Sequence, residues 1–170
     1  MKVEVVSYDE NWPKLFELEK DILLGKIGHI ILAVHHIGST SIEGLSAKPI
    51  IDIILAVGSL NQLDESKRKF EALDYEVMGE YGISRRRYYR KGRYNRTHQI
   101  HAYQAGDHHI HRHLAFRDYI KAHPYVKKEY ENLKVKIASE CENDIERYCY
   151  GKDKFVKFYE AKALEWAKGI

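Results

Sequence analysis

The hydrophobic pattern of this 170-residue chain switches repeatedly between strand-like alternation and helical spacing. Lys2 to Ser7 alternates and predicts a short strand. Pro13 suits a first helical position, with Asp9 or Trp12 as cap, and Leu15, Phe16, Leu18, Ile22 and Leu23 predict the buried face of the helix that follows. Ile30 to Val34 and Ile50 to Val57 are short β-branched runs of the kind that fill the centre of a sheet. Asn61 to Leu73 predicts a helix with Leu63, Phe70 and Leu73 inward, and Tyr75 to Met78 a returning strand. Arg85 to Lys91 and Thr97 to Tyr103 predict two more strands, joined through Gly92-Arg93-Tyr94-Asn95. The remainder reads as helical: His109 to Ala122, a break at His123-Pro124, Tyr125 to Glu140, then Asp144 to Lys168 with an interruption at Gly151. Together these elements predict one α+β domain over residues 1–170, a mixed β-sheet packed by helices with a C-terminal helical segment.

Composition narrows the class. Apolar residues make up 44% of the chain and charged residues 31%, as in a globular protein, and no stretch approaches the roughly 20 apolar residues of a membrane span. The N-terminus lacks a signal peptide's apolar core, so the cytoplasm is the expected compartment and no membrane partner is expected. Cys141 and Cys149 match no metal or redox spacing and are expected as free thiols. A net charge of +3 is too small to argue for nucleic acid by itself. The charge is uneven, however, with Arg85, Arg86, Arg87, Arg90, Lys91 and Arg93 set among Tyr88, Tyr89 and Tyr94. On a strand, Arg86, Tyr88 and Arg90 share one face, which suits either contact with a nucleotide or single-stranded nucleic acid or a charge-protected edge.

The most informative residue is Asp52, an acid inside the apolar run from Ile50 to Val57. A buried carboxylate needs a partner or a chemical task. Upstream, Gly38 permits a turn whose backbone N–H groups and Ser39 and Thr40 hydroxyls can hold an anion, and Lys48 is near enough to join it. The alternative is structural, with Asp52 bracing that turn by accepting its hydrogen bonds.

Three separated motifs, "YDENWPKLFELEK", "HIGSTSIEGLSAKPIIDI" and "HRHLAFRDYIKAHP", resemble the GrpB family of small bacterial proteins, with the likeness running from about Val5 to Phe155. That family is grouped with the nucleotidyltransferase fold. The resemblance implies that the Gly38-Ser39 turn holds nucleotide phosphates and that Asp52 stands at the first metal-ligand position, in the style of two-metal phosphoryl chemistry. Where an active transferase carries its second carboxylate, two residues on and on the same strand face, this chain has Ile54. Thr97 to Tyr103 offers His98 and His101 in place of a third acid. Asp52, His98 and His101 are therefore the candidate ligands for a divalent metal, zinc, manganese or iron being better suited to imidazole than a magnesium pair, and Asp52 and His101 are the candidate catalytic groups. For each histidine the alternative is simple packing in the sheet.

Asp107-His108-His109-Ile110-His111-Arg112-His113 reads as a helix start capped by Asp107 with surface histidines, the alternative being a metal site on the helix face that His109 and His113 share. His113, Phe116, Arg117 and Asp118 match the family motif, and Arg117 is expected to clamp an anion in the Asp52 cleft while Asp118 pairs structurally. Tyr150-Gly151-Lys152 resembles a further family pattern. The candidate phosphate-binding set is thus Gly38, Ser39, Thr40, Lys48, Arg86, Arg117 and Lys152. Three functions follow: a binder of a nucleotide or phosphorylated metabolite, an active metal-dependent nucleotidyltransferase, or a non-catalytic scaffold for RNA or protein.

Overall fold

Pro13 is the second residue of the first helix of the computed structural model, which describes residues 2–170. This is α1 (Trp12–Ile27), with Asn11 as cap and the Asn11 N–H bonded to the Asp9 carboxylate at 2.8 Å. A 3₁₀ turn leads into β1 (Ile31–Ile37), and a second, Ser39–Ser41, separates it from β2 (Ile51–Val57). Then come α2 (Leu60–Glu65), α3 (Lys67–Ala72), β3 (Tyr75–Val77), β4 (Arg87–Lys91), β5 (His98–Gln104), α4 (His108–Ala122), α5 (Pro124–Glu140) and α6 (Ile145–Lys168).

The five strands form one sheet in the order β1-β2-β5-β4-β3, with β2 and β5 parallel and every other pair antiparallel. This is the mixed α+β arrangement expected from the pattern. Strand alternation gives the sheet two unlike faces. On one, Ile51, Ile53, Leu55 and Val57 of β2, Ile100 and Ala102 of β5 and Tyr89 of β4 pack under α1, α2 and α3 through Trp12, Phe16, Leu23, Leu63 and Phe70. The other face carries Asp52, Gln99, His101, Tyr88 and Arg90 in register, and helices α4, α5 and α6 form their own core beside it around Tyr119, Ile120, Val126 and Tyr159.

Several boundaries differ from the sequence reading. Lys2 to Ser7 forms no strand; only Val6 pairs, exchanging both backbone bonds with Ala47 at 2.9 Å. β1 is an edge strand, with Leu32 exposed, because a sixth strand to cover it does not form. The Asn61 to Leu73 helix breaks at Ser66, whose hydroxyl donates to the Gln62 carbonyl at 2.9 Å. α6 runs through Gly151 unbroken, and the residue is small there because a Cβ would stand 2.9 Å from Cδ1 of Ile137 on α5. Both cysteines are free, Cys141 buried and Cys149 exposed.

The face of α1 is the largest departure. Its buried stripe is Trp12, Phe16, Glu19, Leu23 and Ile27, while Leu15, Leu18 and Ile22 are exposed. Glu19 is admitted because it accepts from the Tyr75 hydroxyl and Lys91 Nζ, each at 2.7 Å, with His98 Nε2 at 3.6 Å. Burial raises the Glu19 carboxyl, but the Lys91 and Tyr75 bonds outweigh it and hold the group below its ordinary value. Replacing Lys91 by Met leaves that carboxylate buried with fewer donors. The expected loss is about 2 kcal/mol in urea denaturation at pH 7, and an unchanged midpoint would remove Glu19 from the list of groups that stabilise the fold.

Candidate functional site

Register places one polar row across the sheet. Ile37 of β1 pairs with Asp52 of β2, Asp52 with Gln99 of β5, and Gln99 with Arg90 of β4. Asp52, Gln99 and Arg90 line the floor of a cavity of about 530 Å³. One wall is the Gly38 turn, with Gly38, Ser39, Thr40 and Lys48; the opposite wall comes from Lys134, Tyr148 and Lys152 of α5 and α6. Arg117 of α4, Arg93 and Arg96 of the β4–β5 connection, and the Tyr81 and Tyr88 rings complete it.

Gly38 has φ of 72° and ψ of −176°, a conformation that residues with a Cβ avoid, and a Cβ there would lie 2.7 Å from Oδ2 of Asp52. The turn therefore rests directly on the carboxylate. It is closed by its own groups: the Ser41 hydroxyl donates to the Gly38 carbonyl, and Thr40 Oγ1 donates to the Ile50 carbonyl at 3.2 Å and meets His36 Nε2 at 2.9 Å. Asp52 does not brace it in the way the structural alternative required, because Oδ1 is buried with no hydrogen-bond partner among the described residues. Its neighbour is His101 Nε2 at 3.5 Å. Behind the turn, burial drives His36 down to about 4, so its imidazole is neutral at pH 7.

The two walls together bring up three lysines with little to neutralise them. Lys48 and Lys152 both place Nζ over the Tyr148 ring, 4.9 and 4.8 Å from its centroid, and Lys134 lies 4.8 Å over Tyr130. Lys134 is 1% exposed, and its Nζ has no hydrogen-bond partner among the described residues. The nearest acid on its helix, Glu131, is turned to the Ser46 N–H and to Lys128. Burial, aided by the Lys152 charge, pushes Lys134 down to about 7 and lowers Lys48 in the same way. Seven cationic side chains line the cavity, against the single carboxylate of Asp52. Such a lining gives the cavity an excess of positive charge.

The structure sorts the remaining candidates. Arg117 lines the cavity as expected, its Nε donating to Asp118 at 2.9 Å and Nη1 to the His36 carbonyl at 2.9 Å. Arg86 is not part of the lining: its guanidinium is held by the Glu80 and Tyr81 carbonyls at 3.2 and 2.8 Å, because the chain at residues 85–86 is still in a turn when β4 begins. His98 lies on the opposite face of the sheet, against Glu19. It stands three positions from His101, an odd offset, so the two imidazoles cannot meet and Asp52, His98 and His101 do not form a joint metal site. Donor atoms of three such residues come within 4.8 Å of one another only at Asp107, His108 and His109, among the described residues. There Asp107 caps α4 by accepting the His109 N–H at 2.9 Å, and Arg85 stands 3.4 Å away. The two arginines of β4 are paired, Arg87 with Asp64 at 2.8 Å and Arg90 with Glu76 at 3.5 Å.

The family model described as GrpB protein matches residues 2–162. The chain belongs to the GrpB family. A UPF0157 protein, YqkA, of Bacillus subtilis is 44% identical over 99% of this chain, and the chain spans 49% of that relative's length. The glutamate-rich protein GrpB of Alkalihalophilus pseudofirmus is 34% identical, with 91% of this chain and 92% of that protein aligned. The crystal structure of the conserved protein GrpB from Enterococcus faecalis superimposes with a TM-score of 0.93 at 41% identity, covering 96% of this chain and 99% of that one. Every residue of the cavity falls inside the GrpB-matched segment. No helix of the described residues is long and apolar enough to cross a membrane.

Within this GrpB fold, sequence reasoning passed over Lys134, Arg96 and Gln99. One signal for Lys134 was present: Val126, Tyr130 and Lys134 recur at a spacing of four and form the buried face of α5, so a lysine stands where the pattern calls for an apolar residue. Arg96 carried no comparable signal, since only the fold of the β4–β5 connection brings it to the cavity.

Proposed function

We propose that this protein binds a phosphorylated small molecule, a nucleotide being the form best matched to the cavity. One observation carries the reading: the fully buried Lys134, unpartnered, beside Lys48 and Lys152. An isolated buried ammonium costs several kcal/mol, a penalty that an incoming phosphate offsets by supplying the missing charge. The Gly38 turn and Lys48 take one side of the phosphates, and Lys134 and Lys152 the other. Tyr81 and Tyr88, stacked at 5.3 Å at the rim, give an aromatic surface to the rest of the ligand, with Arg90 5.7 Å over Tyr81.

ATP is expected to raise the melting temperature, by an amount equivalent to about 2.7 kcal/mol at a hundred times its dissociation constant. Lys48→Ala combined with Lys152→Ala should remove that rise. Failure of ATP, inorganic phosphate and tripolyphosphate alike to move the melting curve would refute the proposal. Transfer chemistry rests on less, because Asp52 is the one acid at the site and Ile54, fully buried, supplies no oxygen beside it.

A further inference from the structure

The nucleotidyltransferase resemblance implies that magnesium accompanies the phosphates. The donors of this cavity argue otherwise. Magnesium takes oxygen ligands in strict octahedral geometry, usually from one or two carboxylates together with the phosphates. Asp52 is the only carboxylate lining the cavity; its Oδ1 is buried 3.5 Å from His101 Nε2 and its Oδ2 lies over Gly38. Its partners along the sheet row are Gln99 and Arg90, and two residues on stands Ile54. An added dication would enter a cavity lined by seven cations and would cancel two of the ligand's own charges. Buried Lys134, with no counter-ion, gains most from a ligand that keeps its full charge.

From this donor set we infer that the cavity takes its ligand as a metal-free polyanion of three or more negative charges, and that magnesium competes for the ligand instead of helping it to bind. The inference rests on the phosphate-binding reading above and adds the ionic form of the ligand. It gives the site a built-in sensitivity: occupancy follows the free polyanion, so a fall in magnesium fills the cavity without any change in total ligand.

The test is thermal shift and titration calorimetry of the intact chain with inorganic tripolyphosphate, ATP and inorganic monophosphate, each with and without magnesium chloride in excess. Sodium chloride holds the ionic strength constant. Tripolyphosphate and ATP should bind without metal and more tightly than monophosphate, and magnesium should weaken them by roughly tenfold or more. Asp52→Asn, which removes the one anion facing the ligand, should bind tripolyphosphate at least as tightly and remain magnesium-sensitive. Binding that magnesium leaves unchanged or strengthens overturns the inference alone, as does loss of binding in Asp52→Asn or equal affinity for monophosphate. Absence of binding by all three probes in both conditions overturns the phosphate reading itself.

Discussion

Lys134→Met should give a protein that is more stable at neutral pH and no longer answers to a phosphorylated ligand. Met matches the lysine stem in length and needs no partner, so the expected gain is about 1–4 kcal/mol, the range seen when buried ions give way to apolar groups. The pH dependence separates this from ordinary repacking. Lys134 has a folded value of about 7 against 10.5 in the ordinary state. Between those values the unfolded chain holds a proton that the folded chain has shed, so stability from this group rises with pH by about 1.4 kcal/mol per unit. The facing groups are the Lys48 and Lys152 cations and the Glu131 carboxylate, the cations lowering Lys134 and Glu131 opposing them. Urea denaturation at pH 7, 8 and 9 should show a positive slope in the parent that the Met variant largely loses. Parallel curves for the two proteins would show that the Lys134 ammonium is already compensated. Because a bound phosphate favours the charged amine, ligand affinity should fall as pH rises above about 7.

Gly38→Ala is expected to damage the fold and the cavity together. The backbone there, φ 72° and ψ −176°, costs a residue with a Cβ about 1–3 kcal/mol. The new Cβ would also stand 2.7 Å from Asp52 Oδ2, which must move. The melting temperature should drop sharply and phosphate binding should disappear with the turn. Adding Asp52→Ala removes the carboxylate contact but leaves the Cβ at 52, 3.1 Å from the new methyl, and the backbone strain, so the double variant should recover only part of the stability. Full recovery would place the whole cost in the carboxylate contact, and no loss at all in Gly38→Ala would mean that the turn adapts freely.

What the sequence disclosed was local. The Ile50 to Val57 run is short, β-branched and bounded by Pro49 and Gly58, and β2 occupies it to within one residue. Gly38 and Asp52 stood out because each breaks the rule of its neighbourhood. The α1 face was misread because Glu19 is paid for by Tyr75, Lys91 and His98, residues remote in sequence whose donors only the folded sheet assembles. The same holds for the cavity: Gln99 and Arg90 reach Asp52 through strand register, and Lys134 through the crossing of α5 and α6, neither of which hydrophobic periodicity encodes. Arg86 lies outside the cavity lining for a local reason, since β4 starts one residue after it and the Glu80 and Tyr81 carbonyls claim its guanidinium.

The two lysines that share the Tyr148 ring come from distant parts of the chain, Lys48 from the segment entering β2 and Lys152 from the middle of α6. A single anion seated between them ties the sheet to the C-terminal helices much as a reversible staple would. Its effect would then extend past the cavity: it would shorten the free loop of the unfolding chain and make the docking of α6 a measure of how full the site is.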